Sequence, residues 1–369
     1  MPFYQHINTN TTTGKRTIDR LLKLRTKLKN EIPEKHLESN LIIASWNIRE
    51  FDSSAYGDRI DECLYYIAEI ISKFDIIAVQ EVRQDLKALK KLMSILGNAW
   101  QYIITDITEG AQGNKERLAF LFDTRKVKFG GLAGEVVLPP FETKDPVTKQ
   151  VIYQPITQLA RTPFMCGFKA GWTNFILSTV HILYGSDAAN NPDRVKEIQE
   201  ISQALAKKAA DKFEWSNNLI LLGDFNIYSP ADETYSAILS AGFEIPIQLQ
   251  NLPSNALQNK FYDQIAFKVI ANEFETTGRA GVFNYYDVVF TEEDESIYIP
   301  LMGESYNTTE AGTARKDKSL YYKTYWRTYQ MSDHLPMWAE IKIDHTDAYL
   351  ENRLLPPQEG NDTISAPSN

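Results

Sequence analysis

The sequence predicts a layered α/β fold, in which packed β-sheets are covered by outer helices. Short runs rich in Ile, Val, Leu and Phe recur from residue 41 onward, and segments with apolar residues at helical spacing lie between them. The runs are nearly continuous in apolar residues, as in strands that are covered on both faces. Sheets packed together with helices on the outside satisfy both patterns.

Length and composition limit the class of protein. A chain of 369 residues allows about two domains of average size or one large α/β domain. Hydrophobic residues make up 43% and charged residues 24%, which excludes disorder and coiled coil as the main architecture. The net charge of -9 argues against binding of nucleic acid through a uniformly basic surface, so a polyanion must meet a local patch.

Cysteine usage and hydropathy indicate the compartment. Cys63 and Cys166 lack the paired spacing of a zinc site or redox motif, so no disulfide framework is expected. No stretch approaches the ~18 uninterrupted apolar residues of a membrane span, and the N-terminus lacks a basic region followed by an apolar run. We therefore expect a cytoplasmic protein without a transmembrane segment.

Residues 1–40 are expected to form a polar segment followed by a short basic amphipathic helix. Ile18, Leu21, Leu22 and Leu28 recur at helical spacing among Lys and Arg residues. The segment holds eight basic and four acidic residues, so it is positive in an acidic protein. A helix packed on the core with a solvated charged face is the favoured interpretation, and an arm that contacts a partner or nucleic acid is the alternative.

Eight apolar runs are predicted strands, and three amphipathic stripes between them are predicted helices. The helical stripes extend from Ile60 to Ile71, from Leu86 to Leu96 and from Val195 to Ala209. The predicted strands are Leu41–Trp46, Ile76–Val79, Leu118–Phe122, Phe175–Val180, Leu219–Leu222, Gln264–Phe267, Val288–Phe290 and Met337–Ile343.

Residues 303–330 are predicted to be a long polar and aromatic loop between the last two strands. The segment has five basic and three acidic residues, interleaved with four tyrosines and one tryptophan in its second half. Such a composition suits a loop that grips a phosphate backbone and stacks on sugars or bases. An ordinary loop whose aromatic residues pack on the sheet is the equal alternative.

Polar side chains that bind metals or transfer protons recur at the ends of five predicted strands, where backbone geometry can aim them into one cleft. Side chains two apart on a strand point the same way, so Asp224 and Asn226 share a face. Oxygen ligands without thiolates favour Mg²⁺, Mn²⁺ or Ca²⁺, and two imidazoles suit acid–base catalysis on a phosphate ester. The residues are Asn47, Glu81, His181, Asp224, Asn226, Asp333 and His334.

A series of motifs, in order from about residue 41 to 343, strongly resembles the endonuclease/exonuclease/phosphatase superfamily. The nearest likeness within it is to deoxyribonuclease I and its bacterial relatives, including the mycoplasma membrane-nuclease-like group. The motifs are Trp-Asn47-Ile-Arg49-Glu-Phe51, Gln80-Glu81-Val-Arg83, Lys115-Glu116-Arg117, Arg161-Thr-Pro-Phe164, Val180-His181, Gly223-Asp224-Phe-Asn226, Tyr262-Asp263-Gln-Ile265 and Ser332-Asp333-His334-Leu-Pro336.

The resemblance implies a four-layered α/β sandwich and divalent-metal-dependent hydrolysis of phosphodiester bonds. Mg²⁺ or Mn²⁺ is the implied ion, and Ca²⁺ is a further candidate. Glu81, helped by Asn47 and Asp333, would hold the metal, which neutralises charge on the scissile phosphate. Asp224 would orient or deprotonate the attacking water, and Asn226 would place the water and the phosphate.

The resemblance also implies roles for two histidines and three arginines. His181 and His334 would act around the phosphate as acid, base or hydrogen-bond donor. A carboxylate would orient each imidazole, Glu116 for His181 and Asp263 for His334, because such a partner fixes the tautomer and stabilises the imidazolium. Arg161 would bind the phosphate, and Arg49 with Arg83 would face the nucleic-acid groove or backbone.

Motif placement also predicts the organisation of the chain, because a cleft built from both Asn47 and His334 needs both ends of one domain. We expect an N-terminal segment at 1–40, a catalytic domain at 41–343 with an insertion loop at 303–330, and a polar tail at 344–369.

The resulting expectation is an endonuclease that cuts DNA, with RNA as a second candidate substrate, and that acts as a monomer. The resemblance implies a tyrosine at the place of His181 in the exonuclease III branch, so the histidine favours the deoxyribonuclease I, sphingomyelinase and inositol-phosphatase branches. Among these, the Asn-Ile-Arg, Gln-Glu-Val-Arg and Lys-Glu-Arg strings favour the nuclease. Two alternatives stay open. One is a phosphoesterase of the same superfamily that acts on inositol phosphate or sphingomyelin, and the other is a catalytically silent nucleic-acid-binding module.

Overall fold

The computed structural model describes residues 1–51, 53, 59–109, 113–271 and 273–354. Its strands form two large sheets and one isolated hairpin. The strands are β1 Asn40–Phe51, β2 Ile76–Val82, β3 Trp100–Ile104, β4 Arg117–Asp123, β5 Lys128–Glu135, β6 Phe141–Lys144, β7 Val151–Gln154, β8 Phe164–Ala170, β9 Thr173–His181, β10 Leu219–Asp224, β11 Asp263–Lys268, β12 Glu275–Val282 and β13 Met337–Lys342.

One sheet has six strands in the order β12-β13-β1-β2-β4-β3, and the other has five in the order β11-β10-β9-β8-β5. We call them sheet A and sheet B. Most neighbours are antiparallel, but β1 pairs with β2 in parallel and β9 pairs with β10 in parallel. Strands β6 and β7 form a separate hairpin whose residues are all exposed.

Ten α-helices flank the sheets within the described part of the chain. A π-helical turn, Tyr322–Trp326, joins two of them, and short 3₁₀ turns lie at Tyr285–Asp287 and Glu292–Asp294. The helices are α1 Thr12–Glu31, α2 Asp61–Ile71, α3 Lys87–Leu96, α4 Pro192–Ala209, α5 Glu233–Ser240, α6 Glu295–Met302, α7 Glu304–Asn307, α8 Lys318–Tyr321, α9 Arg327–Gln330 and α10 Thr346–Leu354.

The period-two alternation of strand side chains creates the layers. On β1, Leu41 and Ile43 point to sheet B and join the core that extends to α4 and α5. Ile42 and Ala44 point the other way and pack with the apolar faces of α1, α2 and α3. The order is therefore helices, sheet A, sheet B, helices, which confirms the four-layered α/β sandwich.

The strand register brings the predicted site residues to one edge of the sandwich. The parallel strands β9 and β10 end together, so that His181 and Asp224 are paired across the ladder. Asp263 begins the antiparallel strand β11 and lies opposite Asp224. Sheet A delivers Asn47 and Glu81 from β1 and β2 to the same edge.

Helix α1 lies on the sandwich with its charged residues turned toward core carboxylates. Its apolar stripe, including Leu24 and Leu28, is buried. Arg16 pairs with the buried Glu62 at 2.8 Å, Arg25 pairs with Glu69 at 2.8 Å, and Arg20 bonds Asp294. These ion pairs favour the interpretation in which the basic helix packs on the core.

The sequence prediction was wrong for Val288–Phe290, which forms a turn after a 3₁₀ segment and not a strand. The run is apolar because Val289 and Phe290 are fully buried under the helices that follow. The Phe290 ring stacks on Tyr298 of α6 at 4.9 Å. A short buried run of apolar residues does not by itself distinguish a strand from a buried turn.

The expected loop at 303–330 is largely helical. Helix α7 occupies its start, and α8, the π-helical turn and α9 form one continuous helical segment from residue 318 to residue 330. Likewise, the start of the expected polar tail forms α10, in which the Tyr349 ring packs on Trp172 at 5.4 Å. The rest of that expected tail, residues 355–369, lies outside the described residues.

Both cysteines, Cys63 and Cys166, are buried free thiols. Among the helices of the described residues, none is long and apolar enough to cross a membrane.

Candidate active site

Asp224 stands at the centre of a cluster of predicted site residues. It ends β10 and is 1% exposed. Its Oδ2 atom lies 3.5 Å from Nε2 of His181 and 3.6 Å from Nε2 of His334. A buried carboxylate between two imidazoles can accept or direct a proton there, because each neighbour is itself a proton carrier.

Each imidazole is held from behind by a second carboxylate. Nδ1 of His181 lies 2.7 Å from Glu116, and Nδ1 of His334 lies 2.8 Å from Asp263. A carboxylate at this position keeps the proton on Nδ1 and leaves Nε2 for the cleft. The structure therefore brings together both carboxylate–imidazole pairs that the sequence predicted.

The buried carboxylates around His181 favour its charged form. Burial and Arg161 lower the pKa of His181. Glu116, through its charge and its hydrogen bond, and Asp224, through its charge, have the larger effect, so the net result is a raised pKa. The pKa of Glu116 is low, because His181, Arg161 and Arg83 together outweigh the effect of burial. The environment of this pair therefore favours an imidazolium beside a carboxylate.

His334 is surrounded by still more negative charge. Burial lowers its pKa, but Asp263, Asp224 and Asp333 raise it well above the ordinary value for histidine. Burial also raises the pKa of Asp263, although the charge and hydrogen bond of His334 lower it. The carboxylates around the ring stabilise the charged form of the imidazole.

Asn47 and Glu81 form the part of the site that suits a divalent cation. Nδ2 of Asn47 donates to Glu81 at 2.9 Å and to Asp224 at 3.0 Å. Oδ1 of Asn47 is buried and has no hydrogen-bond partner. An orphaned amide oxygen beside a carboxylate fits a hard cation, which takes oxygen ligands.

The third predicted ligand, Asp333, lies at the side of this pair. Its carboxylate is 43% exposed and lies 3.7 Å from Nε of Arg49. In the described part of the chain, no three His, Cys, Asp or Glu side chains are grouped to hold a metal by themselves. Asn47, Glu81 and Asp333 could supply oxygen ligands to a hard divalent cation, and water and substrate phosphates commonly fill the other positions around such ions.

Two site residues have positive φ angles, which residues other than glycine rarely adopt. The φ of Glu81 is 60° and that of Asn226 is 53°. Glu81 is fixed in this conformation through the backbone N–H of Glu50, which donates to its carboxylate at 2.8 Å. Asn226 is fixed by its Nδ2, which donates to the Ile182 carbonyl at 2.8 Å. Strain of this kind clusters at functional sites.

The three predicted substrate-binding arginines are all engaged with carboxylates. Nε of Arg161 lies 3.0 Å from Glu116, and Arg83 lies 3.5 Å from the same carboxylate. Arg49 lies against Asp333 and stacks on the Tyr329 ring, 3.8 Å from its centroid. Arg161 is 8% exposed, so its observed contacts support Glu116 and His181, and its phosphate-binding role stays a prediction.

Sequence reasoning missed Arg194 of α4, a fully buried guanidinium that reaches the site. It donates to the carbonyl of Asn226 at 2.8 Å and to that of Ser186 at 2.6 Å. It thereby ties the turn after β10 to the loop after β9. No local motif marks it: it directly precedes the ordinary amphipathic stripe that begins at Val195, and only its tertiary contacts reveal it.

Tyr262 is a second residue that the sequence did not single out for a role. Its ring lies 5.3 Å from the imidazole of His334 and 5.8 Å from Tyr228. Lys260 lies over the Tyr228 ring at 3.7 Å. The position of Tyr262 directly before Asp263, the first residue of β11, was the available signal.

A model of the family described as "Endonuclease/Exonuclease/phosphatase family" matches residues 44–278. The chain belongs to the endonuclease/exonuclease/phosphatase family. The match spans the cluster from Asn47 to Asp263, and Asp333 with His334 lies beyond it. Members of this family are hydrolases of phosphodiester or phosphate-ester bonds, and they generally use divalent metals.

Part of the chain is similar in sequence to curated proteins named deoxyribonucleases. It is 29% identical over 195 residues to "Deoxyribonuclease" of Thioalkalivibrio sp. (strain K90mix), covering 51% of this chain and 47% of that protein. It is 34% identical over 93 residues to "Deoxyribonuclease-1" of Bos taurus, covering 24% of this chain and 32% of that protein. The chain thus matches about half, or less, of the length of these curated relatives.

A solved structure of the family shows the same fold at low identity. It is the D. rerio TDP2 complexed with single strand DNA product, with a TM-score of 0.50 and 13% identity, covering 82% of this chain and 99% of that chain. The likeness supports the endonuclease/exonuclease/phosphatase fold of the chain, and the chemistry must be argued from its own residues.

Proposed function

We propose that this chain is a divalent-metal-dependent deoxyribonuclease that cleaves DNA internally by in-line attack of water on phosphorus. The observation that carries the proposal is the convergence of two carboxylate–imidazole pairs on Asp224, next to the Asn47–Glu81 pair. Hydrolysis of a phosphodiester requires three things together: a group that activates water, proton donors, and a positive charge beside the phosphate. Cleavage would leave a 5′-phosphate and a 3′-hydroxyl.

Asp224 is the residue that would receive or direct the proton of the attacking water. Its Oδ1 accepts from the backbone N–H of Asn226 at 2.9 Å, which fixes the carboxylate and leaves Oδ2 toward the imidazoles. Asn226 would place the water and the phosphate. The carboxylates around His181 and His334 favour the charged imidazoles, so each ring would donate a hydrogen bond or proton through Nε2 to the phosphate or the leaving oxygen.

Glu81 and Asn47 would hold the cation, with Asp333 as a third oxygen ligand. When bound, Mg²⁺ or Mn²⁺ neutralises the charge that develops on the phosphate. Arg49 beside Asp333, and Arg83 beside Glu116, would contact the phosphate backbone on either side of the cleft. Their present ion pairs hold both guanidinium groups at the rim of the site.

DNA is the proposed substrate because both curated relatives are deoxyribonucleases and because the structural neighbour is a complex with single strand DNA product. The site itself also fits other phosphate esters. An activity on inositol phosphate or sphingomyelin is therefore an outcome that the experiment must distinguish.

The test is a substrate panel with the full chain and its Asp224→Asn variant. Supercoiled plasmid, single-stranded DNA, RNA, inositol phosphates and sphingomyelin are each incubated with Mg²⁺, Mn²⁺, Ca²⁺ or EDTA. We expect nicking of plasmid with Mg²⁺ or Mn²⁺, none with EDTA, and a loss on the order of 10²–10⁴ in rate for the variant.

Asp187→Asn serves as the matched control, because Asp187 is an exposed carboxylate on the loop after β9. Full EDTA-sensitive nicking by Asp224→Asn would overturn the proposed role of Asp224. Turnover of inositol phosphate or sphingomyelin without any turnover of nucleic acid would assign the chain to another activity of the same family.

A further inference from the structure

The two chain segments that carry Asp224 and Asp263 continue side by side past the edge of sheet B. Asp224 of β10 lies opposite Asp263 of β11. Beyond this pair, two backbone hydrogen bonds between the segments, at 2.8 and 3.1 Å, extend the pairing outward. Tyr228 and Lys260 come next on the two segments, so both lie at the active-site edge of the sandwich.

The loop that carries Lys260 is fixed to the segment of Asp333 and His334. The backbone N–H of Ala256 donates to the Asp333 carbonyl at 2.7 Å, and Asn255 forms a β-bridge with His334. Oδ1 of Asn255 accepts from the backbone N–H of Lys260 at 2.8 Å. The backbone of Lys260 therefore has a defined position beside the proposed site before any substrate binds, which lowers the entropy cost of a contact there.

The ammonium of Lys260 keeps its hydrogen-bond donors for a group from outside the chain. Its Nζ lies 3.7 Å from the centroid of the Tyr228 ring, and the side chain is half-buried. Among the described residues, it forms no ion pair and donates no hydrogen bond through Nζ. A lysine ammonium has three N–H donors, and an aromatic ring covers only one side of it. The other side can bind an anion.

Two aromatic rings separate this ammonium from the imidazole of His334. The Tyr228 ring lies 5.8 Å from that of Tyr262, and the Tyr262 ring lies 5.3 Å from the imidazole. Lys260 is thus close enough to the proposed site to meet a neighbouring part of the same substrate, and too far from it to contact the scissile phosphate.

Arg194 adds a second positive charge at the Tyr228 ring. Its guanidinium lies 5.0 Å from the ring centroid and is fully buried. It donates to backbone carbonyls, and in the described part of the chain no carboxylate pairs with it. The exposed Asp187 accepts from the Tyr184 hydroxyl and pairs with neither cation. Two cations without paired carboxylates favour an anion at this place, although the chain as a whole is acidic.

We propose that Lys260 binds a backbone phosphate of the substrate strand, one that flanks the scissile phosphate on the His334 side of the cleft. The proposal rests on the proposed nuclease function and adds a subsite to it. Lysine binds phosphate as a point charge, and the buried Arg194 adds to the positive field. Phosphate contacts set the position of a strand and do not read its bases, so the subsite should serve every sequence.

The experiment measures binding without turnover. Short fluorescent DNA duplexes that carry one neutral methylphosphonate linkage, at a different position in each, are titrated into the full chain in EDTA, and fluorescence anisotropy gives the affinity. In the wild type, a neutral linkage should weaken binding wherever a phosphate is contacted. In Lys260→Gln, one of these positions should lose its effect, because the charge that met its phosphate is gone.

The affinity for the unmodified duplex tests the same contact. Lys260→Gln should weaken it about 2- to 5-fold, as for a partly exposed ion pair. The slope of log affinity against log salt concentration should fall in magnitude by about 1. Lys260→Arg keeps the charge and should retain the wild-type affinity, slope and linkage profile.

Lys212→Gln is the matched control, because it removes the same charge. Lys212 also lies over an aromatic ring, that of Phe213, at 4.9 Å. It lies between α4 and the start of β10, and the site residue Asp224 is at the other end of that strand. We expect this variant to have the wild-type salt dependence and linkage profile.

Plasmid nicking with Mg²⁺ is scored separately, so that the two proposals fail independently. Nicking by the wild type, together with an unaltered linkage profile and salt slope in Lys260→Gln, overturns the subsite proposal alone. Loss of one position in Lys260→Gln, in a chain that nicks no DNA, overturns the nuclease proposal alone. The subsite proposal is also overturned by equal weakening in Lys212→Gln, by the absence of DNA binding in the wild type, or by displacement with inorganic phosphate when no neutral linkage has an effect.

Discussion

His181 lies between a carboxylate that it bonds and a guanidinium that repels its charge. Arg161 contacts the same Glu116 that holds Nδ1 of the ring, so the three groups act as one unit. The charge and hydrogen bond of Glu116 raise the pKa of the buried imidazole, against the effects of burial and of Arg161. In the proposed mechanism, the proton that His181 would offer to a phosphate therefore depends strongly on Glu116 behind it.

We predict that Glu116→Gln moves the alkaline limb of the pH–rate profile to lower pH. His181 must be protonated to act as a donor, so activity falls as pH rises through its raised pKa. Removal of the Glu116 charge leaves Asp224 to oppose burial and Arg161, which both lower that pKa. We expect the maximal rate to fall on the order of 10²-fold as well. The measurement is the rate of plasmid nicking across the neutral and alkaline range at saturating Mg²⁺.

The control for this prediction is Asp106→Asn, which removes an exposed carboxylate that pairs with Arg117 at 3.2 Å. Its pH profile should coincide with that of the wild type. An alkaline limb in Glu116→Gln at the same pH as in the wild type would contradict the assignment of that limb to His181.

Glu197 is a second buried carboxylate, one layer behind the site, and it provides a prediction about stability. It is 7% exposed, and burial raises its pKa from 4.5 to about 7. Between these two pKa values, Glu197 is protonated in the folded chain and ionised in the unfolded chain. The free energy of unfolding therefore falls as pH rises through this range. Glu197→Gln should therefore stabilise the protein by about 1–3 kcal/mol above neutral pH and leave it unchanged in acid.

Urea unfolding of the wild type and of Glu197→Gln at acidic and alkaline pH measures this difference. Glu200→Gln is the control on the same helix, because Glu200 is only half-buried and lies 3.8 Å from Lys196. The prediction fails if Glu197→Gln is as stable as the wild type, or less stable, at alkaline pH.

At the scale of elements, the amphipathic stripes and most buried strands were predictable because each has a period or a continuous apolar run. The buried strand β8 was missed, because Gly167 and Lys169 interrupt its apolar run. Helix α4 and strands such as β10 follow directly from those patterns. Exposed strands carry no such signal: β6 and β7 have no buried residue, and the sequence analysis did not identify them. The run at Val288–Phe290 was misleading because tertiary packing, and not strand pairing, buries it.

The site was predictable where polar side chains interrupt apolar strands. Asp224, His181 and Asn47 stand at such interruptions, and the structure brings them together at one edge. The partners of Arg49 could not be read in this way, because Tyr329 and Thr328 lie about 280 positions away in sequence. That contact exists only because β1 and β13 are neighbours in sheet A.

Helix α1 gives the prediction that belongs to this scale. Arg16 compensates the carboxylate of Glu62, whose side chain is 1% exposed. Arg16→Gln leaves that charge buried and unpaired, so it should destabilise the chain by about 3–5 kcal/mol. Because the guanidinium already has its partner, the dependence of DNA binding on salt concentration should not change. Urea unfolding measures the loss of stability, and DNA binding at several salt concentrations measures the salt dependence.

Lys15→Gln is the control, since Lys15 is an exposed lysine on the same helix. It should leave the free energy of unfolding within about 0.5 kcal/mol of the wild type. A flatter salt dependence in Arg16→Gln with unaltered stability would show instead that α1 is an arm for nucleic acid.

At the scale of the whole molecule, the active site is a junction between the two sheets. Nδ2 of Asn47 in sheet A bonds both Glu81 in its own sheet and Asp224 in sheet B. Gln80 of sheet A donates to Thr179 of sheet B at 2.8 Å just below. Four site carboxylates, Glu81, Glu116, Asp224 and Asp263, thus meet where the sheets meet. The two imidazoles lie against Glu116, Asp224 and Asp263, and the Asn47 amide joins Glu81 to Asp224.

A cation bound at Asn47 and Glu81 should therefore stabilise the entire fold. Binding to the folded chain alone adds about 2.7 kcal/mol when the free ion is at 100 times its Kd. We expect Mg²⁺ or Mn²⁺ to raise the Tm of the wild type by a few degrees. Glu81→Gln should abolish this shift. In EDTA the variant should have a higher Tm than the wild type, because it lacks one negative charge at the edge of the sandwich. Glu142→Gln, an exposed carboxylate on β6, should keep the full shift. Thermal unfolding with and without each ion measures all three chains, and an equal metal-induced shift in Glu81→Gln would place the ion elsewhere.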